Sequence, residues 1–252
     1  MNKLFQAIMA GVLVCTSSLA FAADFGVKGT YWFSKLSGDV KVDSAGITGT
    51  SINLADDLGM DDESYPAIEA FVGLGSHHIS ASAIQIDYSG SKSLTKEINF
   101  NGETFNVNEQ VDSSLKYTML DIEYQYDIVD LENILAGGSI GAIGKVKYID
   151  GDVEIKSNIV NQCQSFTAPI PMIGIGLHLG ILADLLEASV KGTGIGYSGS
   201  TLYEIMADIS WTPFPLIDIH AGYAITDLDA DVEDVELSLT MAGPYAGVSI
   251  GF

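Results

Sequence analysis

The chain is 252 residues long, enough for one domain of barrel or sandwich size or for two smaller ones. It carries 33 acidic residues against 11 basic ones, all of them lysines, and its net charge of −22 excludes a nucleic-acid partner on electrostatic grounds. Yet 47% of its residues are hydrophobic and its mean hydropathy is positive, a combination that an ordinary soluble, highly charged protein does not show.

The chain opens with the pattern of an export signal, residues 1–22. Lys3 supplies the positive start, Leu4 to Cys15 the apolar run, and Ala20-Phe21-Ala22 the small residues of a cleavage site. That run is too short for a membrane-spanning helix, which needs roughly 20 residues. Val14 before Cys15 is not the small residue of a lipoprotein site, so no lipid anchor is expected. The mature chain is expected to start near Ala23 and to form a single domain, 23–252, with a charge of −23 once Lys3 is lost from −22. Cys163 is then the lone cysteine, no internal disulfide is possible, and its Gln-flanked position marks it as incidental.

Ten segments with a period of two follow, near 25–36, 65–75, 78–90, 113–127, 136–149, 168–181, 186–197, 202–212, 216–227 and 239–252. In "LDIEYQY" (120–126), Leu120, Ile122, Tyr124 and Tyr126 oppose Asp121, Glu123 and Gln125. In "IDIHAGYAI" (217–225), Ile217, Ile219, Ala221, Tyr223 and Ile225 oppose Asp218, His220, Gly222 and Ala224. Such alternation marks strands with one apolar and one polar face. The segments are longer than the usual soluble strand of about five or six residues and match the roughly 9 to 11 of a tilted membrane strand. Connections after even-numbered strands are short, at 75–77, 128–136, 182–186 and 213–215. Those after odd-numbered strands are long and polar, at 37–64, 91–112, 150–167 and 228–238, with only the tight 198–200 out of step. Alternating turns and loops are the mark of a membrane barrel.

One segment competes with this reading. "IPMIGIGLHLGILADLL" (170–186) is nearly apolar and has the length of a membrane helix. However, Gly174, Gly176, His178 and Gly180 share one face of a strand, against Ile173, Ile175, Leu177, Leu179 and Ile181. Three glycines cost a helix roughly 3 kcal/mol relative to alanine, and a barrel wall uses such glycines where it bends.

The aromatic residues, among them Tyr31, Phe33, Tyr124, Trp211 and Tyr223, gather near strand ends on the apolar face, as interfacial residues do. The chain ends in "PYAGVSIGF", an alternating strand closed by Phe252. An open sheet edge in hydrocarbon leaves backbone groups unpaired at several kcal/mol each, so the last strand must meet the first. With these features the sequence resembles the Gram-negative outer-membrane β-barrels, and among them the small OmpA- and porin-like barrels without an assigned activity. The resemblance implies an all-β, antiparallel up-and-down transmembrane barrel of about ten strands, within a range of eight to twelve. It implies a place in the outer membrane among lipid and lipopolysaccharide, and a monomer. Phe252 would be the assembly signal read by the barrel-assembly machinery.

On this reading the polar face lines the lumen with Glu69, Asp121, Glu123, Lys145, Lys147, His178, Glu187, Lys191, Glu204, Asp208, Asp218 and His220. Two arrangements fit them: a packed network in which each lysine bridges two acids, or a narrow acidic passage for cations or small solutes. A barrel of about ten strands is near the size that side chains fill, so a wide porin is not expected. In loop 91–112, Asn101-Gly102 predicts a two-residue I′ turn that pairs Ile98 with Phe105, in a hairpin protruding as a stiff loop or as a contact arm for a surface partner. Asp227, Asp229, Asp231 and Glu233 are a candidate Ca²⁺ or Mg²⁺ cluster without the EF-hand pattern, and Asp56, Asp57, Asp61, Asp62 and Glu63 a looser one. No resident cofactor is otherwise expected.

Enzymatic barrels offer two templates. Omptin proteases have ten strands and an Asp–His pair with two further aspartates outside the membrane. Asp218 and His220 have the right separation but follow the short 213–215 turn, at the periplasmic end, where that family's site does not lie. Lipid A deacylases use a Ser–His pair on the lipid-facing wall, and neither His77, His78 nor His178 has an apolar-face serine in register. No enzymatic activity is expected.

Overall fold

The computed structural model describes residues 23–44, 48–130, 137–182, 185–197, 199–232 and 235–252. The expected export segment 1–22, with Cys15, lies outside the described residues, and so does Glu233. In chain order the strands are β1 (Ala23–Val42), β2 (Ile52–Asn53), β3 (Glu63–Leu74), β4 (His77–Ser93), β5 (Ile98–Phe100) and β6 (Glu103–Phe105). They continue with β7 (Gln110–Asp130), β8 (Gly138–Lys156), β9 (Asn161–Gly180) and β10 (Leu186–Tyr197). The last three are β11 (Ser200–Phe214), β12 (Ile217–Val232) and β13 (Val235–Gly251).

The ten long strands pair antiparallel in chain order, and β13 returns to pair with β1 from Gly26↔Gly251 to Val42↔Val235. This closes an up-and-down barrel of ten strands. The seam reaches the chain end: Phe252 N–H donates to Phe25 O at 2.8 Å, Phe25 N–H donates to Phe252 O at 3.2 Å, and the two rings stack at 5.8 Å. The seam thereby pairs backbone groups that would find no partner in lipid. The segment expected to compete as a helix is strand throughout 161–180, and no helix among the described residues is long and apolar enough to cross a membrane.

The strands run well beyond the length a membrane needs, and their polarity inverts along the way. On β7 the outward side chains are Tyr126, Tyr124 and Ile122, then Lys116 and Asp112. The inward ones are Gln125, Glu123 and Asp121, then Met119, Tyr117, Leu115 and Val111. β8 repeats this: Val146 and Tyr148 face out below Asp150, Asp152 and Glu154, while Lys145 and Lys147 face in below Ile149, Val153 and Ile155. The β4–β7 ladder runs from His77↔Tyr126 to Ser93↔Gln110 without a register shift, so the faces stay the same and only their chemistry changes. Below the switch, apolar residues face lipid. Above it, polar residues face water and apolar ones turn inward. On β1 the lipid-facing run from Phe25 to Phe33 rises about 26 Å along the strand, which a tilt of 35–45° reduces to about 20 Å, near the height of a membrane band.

This inversion corrects two expectations. The loops expected at 150–167 and 228–238 are mostly strand: β8 and β9 are separated only by 157–160, and β12 and β13 only by 233–234. Their polar residues are the outer face of a sheet in water. The hairpin expected to protrude forms with the predicted pairing, Ile98↔Phe105, over Asn101 (φ 49°) and Gly102 (φ 81°), as an I′ turn requires. It folds inward, with Ile98, Phe100 and Phe105 fully buried. Together with Ile52, Leu54 and Leu58 from the 43–62 connection, it meets Leu36, Val40, Ile86 and Leu115 of the wall in one apolar core. Backbone bonds fix the plug, Thr50 N–H to Asn99 O at 2.9 Å and Leu54 N–H to Gly38 O at 3.0 Å.

Candidate lumenal site

Below the apolar plug the inner face is polar, and it carries all twelve of the residues named for the lumen. Four of them form a compact group across the tube. Lys147 Nζ lies 2.8 Å from Asp121 Oδ1 and 3.1 Å from Glu204 Oε1, and Lys145 Nζ lies 2.7 Å from Asp121 Oδ2 and 2.6 Å from Glu204 Oε2. Two ammonium and two carboxylate groups therefore share one site, linking β7 and β8 to β11 on another part of the wall. Lys147 is only 2% exposed, and burial is tolerable because each charge has two opposite partners. Beside this group Lys191 pairs with Glu123 at 2.6 Å. Lys28, which reasoning from sequence missed, pairs with Glu69 at 3.4 Å. Its inward position was readable from the alternation of Phe25, Val27, Gly29 and Tyr31 around it. These residues line a cavity of about 180 Å³, which Tyr245, Trp32, Met119 and Met206 also border.

A second group sits nearer the periplasmic end. His220 Nδ1 lies 2.9 Å from Asp208 Oδ1, its Nε2 lies 3.0 Å from Ser249 Oγ, and Tyr245 OH donates to Asp208 Oδ2 at 2.6 Å. Ser249 Oγ in turn donates to Asp218 Oδ2 at 2.8 Å, and Asp218 also accepts from Thr212 at 2.7 Å. The Ser–His–Asp connectivity is that of a nucleophilic triad. The surroundings are not: Ser249 Oγ is shared with a second carboxylate, Asp218, and Ser249 is buried at 2% exposure. Asp218 and His220 are bridged by this serine. At the rim, His178 lies 3.8 Å from Glu187, and His78 lies 3.0 Å from Asp127.

The candidate cation residues take a different place from the one expected. Asp227, Asp229 and Asp231 line the outer face of strand β12, where successive same-face residues stand about 7 Å apart along the strand. Asp227 instead accepts from Thr240 at 2.7 Å. Among the other acidic residues, Asp57 takes the Asn53 N–H at 2.8 Å and pairs with Lys96 at 2.7 Å, and Asp62 takes the Leu36 N–H at 3.1 Å. Among the described residues no three His, Cys, Asp or Glu side chains converge as metal ligands.

A closed antiparallel barrel with a lipid-facing apolar belt, aromatic residues at its margins and a polar interior is the fold of Gram-negative outer-membrane β-barrels. The chain has this fold. Among solved structures it is similar to the outer membrane protease OmpT of Escherichia coli, at 10% identity over 94% of this chain and 100% of that one, with a TM-score of 0.60. It is less similar to the attachment invasion locus protein Ail of Yersinia pestis, at 13% identity over 91% of this chain and 99% of that one, with a TM-score of 0.41. Neisserial surface protein A aligns with a TM-score of 0.35 and 13% identity over 90% of this chain and 97% of that one. No family model and no curated protein matches the sequence.

Proposed function

We propose that the chain is a closed, non-conducting barrel with a structural role, anchoring a rigid acidic surface outside the outer membrane. The observation that carries this is the continuous apolar core across the extracellular half, in which Phe100, Phe105, Leu54 and Leu58 are buried. An ion on the barrel axis would lose its hydration there with no polar group in exchange, at a cost of several kcal/mol. The polar half supports the same reading, because its lysines are held in pairs with carboxylates. Passage of cations or small solutes, the other reading of an acidic lumen, requires the plug to leave. The 91–112 hairpin is not a contact arm on this account, since its apolar residues are spent on the core.

The barrel is also read as non-enzymatic, because Ser249, the serine beside the His220–Asp208 pair, is buried and is also bonded to a second carboxylate, Asp218. In biogenesis the export segment is removed near Ala23, Phe252 marks the chain for the barrel-assembly machinery, and the mature barrel stays monomeric among lipid and lipopolysaccharide. Planar-bilayer recording tests the central reading. The wild-type barrel gives no unitary steps, and a variant with 95–108 replaced by a short flexible linker gives them. Stable steps from the wild type overturn the proposal.

A further inference from the structure

Among the described residues, one stretch of the wall has a paired neighbour on one side only. β9 pairs with β8 along its whole length, from Asn161↔Lys156 to Leu179↔Gly138. With β10 it pairs only from Ile173↔Gly194 to Gly180↔Glu187. The β10–β11 hairpin ends at the top of the lipid band, while β9 continues upward for a further 12 residues, 161–172, with one edge open to water. Gly180 N–H donates to Gly137 O on the β8 side. In an antiparallel ladder alternate residues turn both backbone groups to the same side, so the even residues of β9 serve β8 and the odd residues face the open edge.

The sequence at the odd positions is divided. Pro169 and Pro171, the two just above the last β10 partner, have no N–H to leave unpaired. Asn161, Cys163, Ser165 and Thr167 keep both donor and acceptor. Proline thus closes the lower part of the edge, and the upper part remains a template for pairing. The inner side of this stretch offers apolar contact: Phe166 and Ile170 are half-buried against the core, and Phe166 lies 6.4 Å from the ring of Tyr117. Leu228 of β12 lies against the same core, and Tyr197, at the tip of β10, is 82% exposed. The outer side is acidic on both flanks, with Asp150, Asp152 and Glu154 on β8 and Asp229 and Asp231 on β12.

We infer that the open edge of β9 at 161–167 is a docking site for an extended basic peptide segment, which adds as a further strand with apolar side chains inward and lysine or arginine outward. This goes beyond the structural role proposed above and does not depend on whether the barrel conducts. Backbone pairing supplies the register, the half-buried apolar residues receive alternate side chains, and the flanking carboxylates attract the others. Strand spacing puts the β8 carboxylates about 10 Å from the outer side chains of the added strand, near the screening length in physiological salt, so binding weakens as salt rises.

The probe is a short fluorescent peptide of alternating valine and lysine, titrated against the full barrel in nanodiscs of zwitterionic lipid. Binding is expected, together with slower maleimide labelling of Cys163. It falls at least about tenfold for the valine–glutamate peptide, for a shuffled peptide of the same composition, and for Ser165→Pro with Thr167→Pro. Those prolines remove only N–H groups that face away from β8. A second measurement leaves the protein unchanged: of two peptides N-methylated either on every lysine or on every valine, one binds and the other does not. Equal binding of the two methylated peptides, undiminished binding to the proline variant, or no binding of the valine–lysine peptide overturns the inference. Binding of the shuffled peptide to equal extent assigns the effect to adsorption by charge and overturns it as well.

Discussion

The lower and upper halves of this barrel are built from the same strands, on the same faces, in the same register, yet they are two different kinds of protein. In the lower half Ile122 and Tyr124 point out to lipid while Asp121 and Glu123 point in to an ion-paired lumen. In the upper half of the same strand Lys116 points out and Leu115 points in to an apolar core. The solvent outside decides which arrangement is stable. Where lipid surrounds the wall, polar groups find partners only inside; where water surrounds it, burying apolar surface is again the main driving force. A β-strand can serve both because its faces alternate whatever is written on them.

The comparison can be broken at single sites, starting with the largest effect. Leu115→Glu places a carboxylate without a partner in the upper core and is expected to cost several kcal/mol, read as a lowered urea midpoint in lipid vesicles. Unchanged stability would mean that the upper interior is wet. In the lower half, Glu204→Gln leaves two buried lysines sharing one carboxylate and costs about 3–5 kcal/mol by the same measurement. Adding Lys145→Met recovers part of that loss if the cost is one of unpaired charge. Outside the wall, Ile122→Lys near the middle of the lipid band costs about 2–4 kcal/mol, whereas Lys116→Ile on the same face changes stability by no more than about 0.5 kcal/mol. Stabilisation by Lys116→Ile of about 2–4 kcal/mol would show that the band reaches higher than the switch on β7.

The smallest effect is a pH dependence at the rim. A hydrogen bond from Ser157, then the Asn106 N–H, hold the Glu109 carboxyl below its ordinary value. A depressed carboxylate contributes stability that is present above the unfolded value of about 4.3 and is lost as pH falls through the lower folded value. Hydrogen exchange of the 94–109 segment is therefore expected to speed up in acid below about pH 4.3. The acid step disappears in Glu109→Gln.

Much of this was legible in the sequence. The ten strands, the closure at Phe252, the I′ turn at Asn101-Gly102 and the inward set from Glu69 to His220 follow from a period of two and from turn chemistry. What misled was the assumption that apolar always means outward. Under it "DGDVEIK" (150–156) and "DLDADVE" (227–233) read as loops, although Asp150, Asp152 and Glu154 alternate with Val153 and Ile155 as strictly as any lipid-facing run. The partners of the lumenal charges were out of reach for another reason. Lys145 and Glu204 lie on strands that do not pair with each other, so their contact depends on barrel diameter and not on local pattern. The missing neighbour of β9 needed the full register, though Pro169 and Pro171 inside a strand were its trace in the sequence.

The most direct test of the inversion is water access along β7 in lipid vesicles. Cys163 is replaced by serine, and single cysteines are placed at 115, 116 and 122, for reaction with a membrane-impermeant maleimide. The account predicts fast labelling at 116, which faces water, and slow labelling at both 115 and 122, the first shielded by the core and the second by lipid. Labelling at 115 as fast as at 116 would mean a water-filled upper lumen and would contradict it.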